Sequence, residues 1–306
     1  MSAKPVVLVT GADLAASALD LLRDFELVFA GKAPVEDDIV ALCQQHDPVA
    51  IIVRYSKVGE PAMAAAPSLR VVSKHGSGTD TIDKVAAQKR GIAVVAAAGA
   101  NAAAVAEHAL ALLLACAKSV VKLNERMHAG HWDKATHQSL ELCGRTIGLI
   151  GLGAIGQRFA KMVDAMGMKV IGFDPHAKDL PSFIRAVDLE AIWRESDVIS
   201  LHCPLTDDNR NLVSAKTLAA CKRGVIVVNT ARGGLINEND LLAALKSGQV
   251  ASAGLDSFQV EPMVAGHSFR GVANLVLSPH TGGVTSNACV SMGVAAAKNA
   301  LAVLAR

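Results

Sequence analysis

Short β-branched apolar runs alternate with amphipathic segments along nearly the whole chain, and they do so in two separate series. Residues 6–9, 27–29, 50–53, 69–72 and 93–95 have the length and composition of strands, and 15–24, 35–45 and 82–90 between them have helical spacing. Strands with almost no polar residues, alternating with helices, predict a parallel sheet covered on both faces. The second series comprises 146–150, 169–173, 198–201, 225–229, 253–256 and 275–277. Between the two series, 101–128 reads as one long helix, too long for a simple crossover and suited to linking two lobes. The last segment, 287–304, has helical periodicity with no strand after it, and is expected to pack back onto the first lobe. No repeat of solenoid length and no low-complexity linker interrupts the pattern. A length of 306 residues is enough for two domains, each with its own core.

Composition removes several function classes. Aromatic residues make up 3% of the chain, which argues against base stacking on aromatic platforms. A formal net charge of +2 argues against affinity built on neutralising phosphates, so no nucleic-acid partner is expected. The string Val6-Val7-Leu8-Val9-Thr10-Gly11-Ala12 is similar to the opening strand of short-chain dehydrogenases. That family needs a Tyr with a Lys four positions on; the single tyrosine, Tyr55, has Gly59 there, and the expected glycines are absent. Cysteines 43, 116, 143, 203, 221 and 289 form no C-x-x-C and no close pair, so neither a zinc site nor a disulfide framework is expected, and a reducing cytoplasm is the default. The start Met1-Ser2-Ala3-Lys4-Pro5 does not read as a signal peptide. The apolar stretch 96–116 contains Asn101, Glu107 and His108, and reads as a buried helix and not a membrane span.

Thr146-Ile147-Gly148-Leu149-Ile150 runs directly into Gly151-Leu152-Gly153-Ala154-Ile155-Gly156 and then a helical stretch. A G-x-G-x-x-G string is weak alone, but between a strand and a helix it is the dinucleotide fingerprint. Gly151 permits the tight turn, Gly153 lets a diphosphate approach the backbone, and Gly156 allows close helix–strand packing. The turn through Ala154 and Ile155 then presents unpaired N–H groups and a favourable dipole to that anion. The next strand ends at Asp174, 18 residues past Gly156, where a carboxylate accepts from a ribose diol and repels a 2′-phosphate. The expected cofactor is therefore NAD in preference to NADP. With 145 residues ahead of the fingerprint strand, a separate α/β lobe comes first, and a cleft between lobes is the natural place for chemistry.

Three later segments each set a charged or titratable group beyond a strand's carboxyl end, where open parallel sheets bind ligands. They are Asn229-Thr230-Ala231-Arg232-Gly233-Gly234, Asp256-Ser257-Phe258-Gln259-Val260-Glu261-Pro262, and Leu277-Ser278-Pro279-His280-Thr281-Gly282-Gly283. An isolated Arg after a strand is usually a surface ion-pair partner and a lone His-Gly turn is usually structural; their co-occurrence in one cofactor lobe is what points to chemistry. With Lys74-His75-Gly76-Ser77-Gly78-Thr79-Asp80, Val105-Ala106-Glu107-His108 and His202-Cys203-Pro204-Leu205-Thr206, the chain resembles the D-isomer-specific 2-hydroxyacid dehydrogenases over essentially its whole length.

The resemblance implies roles. His280 is the expected general acid/base at the substrate C2 oxygen, with Glu261 holding its other ring nitrogen and raising its pKa. Arg232 is expected to bind the substrate carboxylate and polarise the carbonyl. Arg54 and the loop of Ser77 and Gly78 are expected to meet the same anionic substrate. Asp256 matches the position facing the nicotinamide carboxamide, and Cys203, Pro204, Thr230, Ala231 and Gly282 match cofactor-contacting loops. His202 is expected to shape such a loop, Cys203 to act through its backbone, and His75, His128, His131 and Trp132 to be structural or surface groups. No metal is expected. The candidate substrates are 3-phosphoglycerate, glycerate/hydroxypyruvate or glyoxylate.

Two departures touch the periphery. Asn and Pro usually found before the long helix are replaced by Ala96-Ala97-Ala98-Gly99-Ala100-Asn101, and Asn209 stands where Thr is common. The chain stops at Arg306, with no room for the C-terminal regulatory domain of longer phosphoglycerate dehydrogenases, so feedback control of that kind is not expected. The implied architecture is two doubly wound parallel-sheet domains: a flavodoxin-like substrate domain of residues 1–98 plus 286–306, and an inserted Rossmann NAD domain of 99–285. Two crossings between them would act as a hinge that closes on ligands. A homodimer through 119–134 is expected. The alternative, an NAD-sensing corepressor-like binding protein, shares the catalytic trio; it would need an added binding extension, for which this chain has little room.

Overall fold

The computed structural model describes residues 4–306; Met1, Ser2 and Ala3, on which part of the signal-peptide expectation rests, lie outside the described residues. The chain divides into two compact units, one running up to Asn101 and joined by Val284–Arg306, the other Ala102–Gly283.

The first unit runs β1 (Val6–Val9), α1 (Ala16–Leu21), β2 (Glu26–Phe29), α2 (Glu36–His46), β3 (Ala50–Val53), α3 (Glu60–Ala64), β4 (Val71–Lys74), α4 (Lys84–Lys89) and β5 (Ala93–Ala96). All its strand pairs are parallel, in the order β2-β1-β3-β4-β5, the flavodoxin-like arrangement. Because successive strand side chains point to opposite faces, Leu8, Ile51 and Val72 enter one apolar layer, and Val7, Val9, Ile52 and Val71 enter another. The second layer is closed by the chain's last helix, Ser286–Leu304, whose Ala296, Ala297 and Ala300 are fully buried. That helix is long and apolar enough to cross a membrane by length and composition, yet its alanine face is part of this core.

The second unit begins with α5 (Ala102–Lys118) and α6 (Val120–His128). A single helix over 101–128 is not what forms. Ser119 adopts a left-handed conformation (φ 51°), which an α-helix cannot continue through, and the two pieces meet at 61°. There follow β6 (Thr146–Ile150), α7 (Ala154–Ala165), β7 (Lys169–Phe173), β8 (Ile184–Ala186), α8 (Leu189–Glu195), β9 (Val198–Leu201), α9 (Ala215–Ala219), β10 (Val225–Asn229), α10 (Glu238–Ser247), β11 (Val250–Leu255) and β12 (Leu275–Leu277); the chain's last helix is therefore α11. The seven parallel strands lie in the order β12-β11-β10-β9-β6-β7-β8, so the sheet reverses direction of winding between β6 and β9. Val225 and Val227 join one apolar layer of this sheet, and Ile226 and Val228 the other. Helix α5 lies against β10, β11 and α7, with Gly254 of β11 making room: a Cβ there would stand 2.9 Å from Leu112 Cβ.

Candidate active site

The loop after β6 is shaped by its glycines. Gly151 has φ +98°, and a Cβ there would lie 2.6 Å from Cys203 N and His202 C, so only glycine fits. At Gly156 a Cβ would fall 2.1 Å from Gly151 O, so α7 sits close to its own loop only because the side chain is missing. A Cβ at Gly153 would meet nothing within 4 Å: the space beside that residue is open. Helix α7 starts at Ala154, with Ile155 and Gly156 in its first turn, no side chain capping it and no acidic residue there. Uncapped N–H groups beside an open glycine suit a diphosphate. Asp174, past the end of β7, accepts from Leu152 N (2.8 Å) and His176 N (2.9 Å), which ties it to the same loop.

Two neighbouring loops complete this edge. After β9, His202 N donates to Ile150 O (2.7 Å) and its Nε2 lies 3.0 Å from Ser200 Oγ. Burial pushes the His202 imidazole down to about 3, so it is neutral. Burial likewise lifts the Cys203 thiol to about 11, which makes it a poor nucleophile. Asn209 accepts from Thr206 N (2.7 Å) and donates to Pro204 O (2.8 Å), so the residue that departs from the common Thr pins this loop. His202 Nδ1 and Thr230 Oγ1 are buried without a hydrogen-bond partner, polar atoms that a bound dinucleotide can address. The residues present at this edge fit NAD.

The trio sits on the carboxyl ends of β10, β11 and β12. Asn229 is fully buried at the end of β10; its side chain accepts from Ala231 N (2.9 Å) and donates to Arg232 O (2.9 Å), fixing the turn that carries Arg232. Arg232 is half-buried, with Nη1 donating to Ala231 O at 2.7 Å. Gly233 is obligatory behind it, since a Cβ would lie 1.9 Å from Phe258 C. His280 Nδ1 is 2.7 Å from Glu261 Oε2, and the other carboxylate oxygen accepts from Phe258 N at 2.9 Å. This bond, opposed by burial, raises the His280 pKa above the ordinary imidazole value. Burial would raise Glu261, but its bonds to His280 and Phe258 and the charges of His280 and Arg232 hold it below the usual carboxylate range. The bond favours imidazolium beside carboxylate, and His280 Nε2 is the ring nitrogen that Glu261 does not engage. His280 itself has φ +54°, a conformation unusual for a non-glycine residue and frequent at functional sites.

Asp256 organises the loop that presents His280. Its Oδ1 accepts from Ser278 Oγ (2.6 Å) and Thr281 N (2.9 Å), and its Oδ2 from Gly282 N (2.8 Å). His108, in the first turns of α5, places Nε2 2.8 Å from Ser278 Oγ and 3.3 Å from Asp256 Oδ1. Because the Ser278 hydrogen goes to Asp256, His108 Nε2 must be the donor to Ser278. Gly282 packs against that ring, where a Cβ would stand 3.3 Å from His108 Cδ2. His108 and Ser278 lay inside the sequence motifs that stood out, but nothing local indicated that they meet.

In the first unit, Arg54 follows β3. Its Nη1 donates to Asp13 O (2.7 Å) and contacts the Asp13 carboxylate, and its Nη2 lies 3.0 Å from the Tyr55 hydroxyl. Ser77 donates to Asn101 Oδ1 at 3.2 Å, and Gly78 is the next residue of that loop.

Residues 110–282 match the family model described as D-isomer specific 2-hydroxyacid dehydrogenase, NAD binding domain. A hydroxypyruvate reductase from Thermotoga maritima is 37% identical over 276 residues, 90% of each chain. A D-3-phosphoglycerate dehydrogenase from Mycobacterium tuberculosis is 36% identical over 305 residues, 98% of this chain but only 57% of the longer relative. The crystal structure of the TT0316 protein from Thermus thermophilus superposes with a TM-score of 0.90 at 35% identity, covering 98% of this chain and 97% of that one.

Proposed function

Because the chain belongs to the D-isomer-specific 2-hydroxyacid dehydrogenases and is an NAD-dependent oxidoreductase, we propose that His280, Glu261 and Arg232 are its catalytic residues. The reaction interconverts a small D-2-hydroxy acid and its 2-oxo acid, of the 3-phosphoglycerate, glycerate/hydroxypyruvate or glyoxylate type. Bound NAD supplies the hydride acceptor at nicotinamide C4 or, when reduced, the donor. Gly151, Gly153, Ala154, Ile155, Gly156 and Asp174 hold its diphosphate and ribose, and Cys203, Pro204, Thr230, Ala231, Asp256 and Gly282 line the rest of its course. Arg232 binds the substrate carboxylate and polarises the C2 carbonyl. His280 Nε2 delivers a proton to the C2 oxygen during reduction and removes it during oxidation, while Glu261 stabilises the imidazolium. Arg54, Ser77 and Gly78 are the first unit's candidates for binding the anionic substrate.

The observation that carries this reading is the 2.7 Å bond between His280 Nδ1 and Glu261 Oε2, which leaves one imidazole nitrogen for proton transfer. Purified protein with NADH and a panel of 2-oxo acids should lose the reduced-nicotinamide absorbance. Tight NADH binding with no turnover on any of them defeats the enzyme reading and leaves a nucleotide-sensing binding protein. We further assign a cytoplasmic location and a homodimer formed through 119–134; the exposed Val120, Val121, Met127 and Trp132 support such an interface. Sedimentation at the monomer mass would count against the dimer.

A further inference from the structure

A substrate with an anionic group beyond its carboxylate, such as a C3 phosphate, needs basic side chains to receive it. A phosphate monoester carries about 1.5 to 2 negative charges near neutral pH, so leaving it unmatched is costly. The stretches of the first unit around Arg54 and around Ser77 and Gly78 offer three further basic groups: Lys57, Lys74 and His75.

Each is committed elsewhere. Lys57 Nζ lies 3.1 Å from Glu36 Oε2, with a side chain 66% exposed to solvent. Lys74 Nζ donates to the Arg54 carbonyl oxygen at 2.9 Å, so its charge is turned back onto the main chain. His75 is buried, and burial together with the charge of Arg54 pushes it down to about 4, leaving it neutral. Arg54 itself is flanked on both terminal nitrogens. The Asp13 carboxylate sits against Nη1, the Tyr55 hydroxyl is 3.0 Å from Nη2, and the Tyr55 ring lies 5.0 Å from the guanidinium carbon. Gly11 permits this seating, because a Cβ there would stand 2.8 Å from Arg54 Cδ. Around Arg54 each cation thus has a partner: Arg54 and Lys57 face carboxylates, and Lys74 faces a carbonyl oxygen.

We infer that this protein acts on unphosphorylated 2-oxo acids with one carboxylate, of the glyoxylate and hydroxypyruvate class, and that Asp13 is the residue that disfavours a phosphate. The inference rests on the dehydrogenase reading above. A dianion approaching Arg54 meets the negative charge of Asp13 on the same guanidinium and the weakly polar face of Tyr55, an arrangement that selects by repulsion.

The test is kcat/KM with NADH for glyoxylate, hydroxypyruvate and 3-phosphohydroxypyruvate, in the natural protein and in Asp13→Asn. Hydroxypyruvate should exceed its phosphorylated counterpart by roughly tenfold or more, and Asp13→Asn should narrow the ratio by raising turnover of the phosphorylated acid. Asp13 is on the surface (side chain 78% exposed), so the variant is expected to fold as the natural protein does. Equal or better use of 3-phosphohydroxypyruvate by the natural protein overturns the inference while leaving the dehydrogenase reading intact. An unchanged ratio in Asp13→Asn overturns the role of Asp13. No turnover of any of the three, with NADH bound, overturns the dehydrogenase reading and this inference with it.

Discussion

Each parallel sheet of this protein opens with a strand that runs into a glycine, Gly11 after β1 and Gly151 after β6, yet the two ends are put to different use. In the first unit a Cβ on Gly11 would collide with Arg54 Cδ at 2.8 Å, so the space is filled from within by the chain's own side chain. In the second unit the matching region at Gly153 is open, with nothing within 4 Å of where a Cβ would be. The helices differ too. Helix α1 starts only at Ala16, several residues past Gly11, and is six residues long, whereas α7 starts directly after Gly153 and runs for 12. Both strands lie between two parallel neighbours, so the topology is shared. The spacing of glycines and the immediate helix start, and not the α/β fold, leave one strand end open beside an uncapped helix start and make the other a seat for the Arg54 side chain.

The largest expected effect lies in the second unit. His280→Ala should lower kcat by roughly 10²- to 10⁴-fold, the usual contribution of a positioned general acid/base, with NADH affinity unchanged by fluorescence titration. Gly153→Val tests the open cradle. The backbone there has φ −73°, which any L residue adopts, so the thermal midpoint should hold while NADH affinity falls by about tenfold or more. If affinity is unaffected, the diphosphate does not lie at that glycine.

Glu261→Gln should reduce kcat/KM by about tenfold and, more tellingly, move its pH profile. On the proposed mechanism, reduction of a 2-oxo acid needs protonated His280, so the rate is full below the His280 pKa and is lost as pH rises through it. Glu261 raises that pKa, and its removal should shift the loss to lower pH; the oxidation limb should shift the same way. The raised pKa also gives folding stability that is present below the unfolded imidazole value and disappears as pH rises through the folded one. A pH profile unmoved by the substitution would show that another group sets it. The smallest effect belongs to the first unit. Gly11→Ala should cost about 1 kcal/mol in stability as Arg54 shifts, with NADH affinity untouched. A loss of NADH binding in that variant would erase the contrast between the two strand ends.

Much of this is legible in the amino-acid sequence because it is written in local periodicity. The Gly151–Gly156 spacing between strand and helix signals needs no distant contact, and β1, β3, β6, β7, β9, β10 and β12 lie where their apolar runs predict. Other boundaries were decided by pairing. Strand β4 is Val71–Lys74 and not 69–72, because its register is set by partners in β3 and β5, and β11 begins at Val250, earlier than its most apolar residues suggest. The three-residue edge strand β8 and the break at Ser119 carried no signal, since a short edge and a left-handed serine depend on what packs around them.

The candidate site divides in the same way. Its residue types, and their places beyond strand ends, could be read from motifs. The Ser278–Asp256 and Asp256–Gly282 bonds, and the contact that brings His108 to Asp256 from 148 positions earlier, could not. The pairing of Arg54 with Asp13, across 41 positions, was equally hidden. By itself the sequence determined the strand and helix periods, the glycine cradle and the chemical inventory, because each is encoded in residues a few positions apart. Only the tertiary structure decided which charges are matched, which histidine is set against a carboxylate and which strand end stays open, because those depend on side chains brought together from separate elements by burial of two apolar layers in each unit.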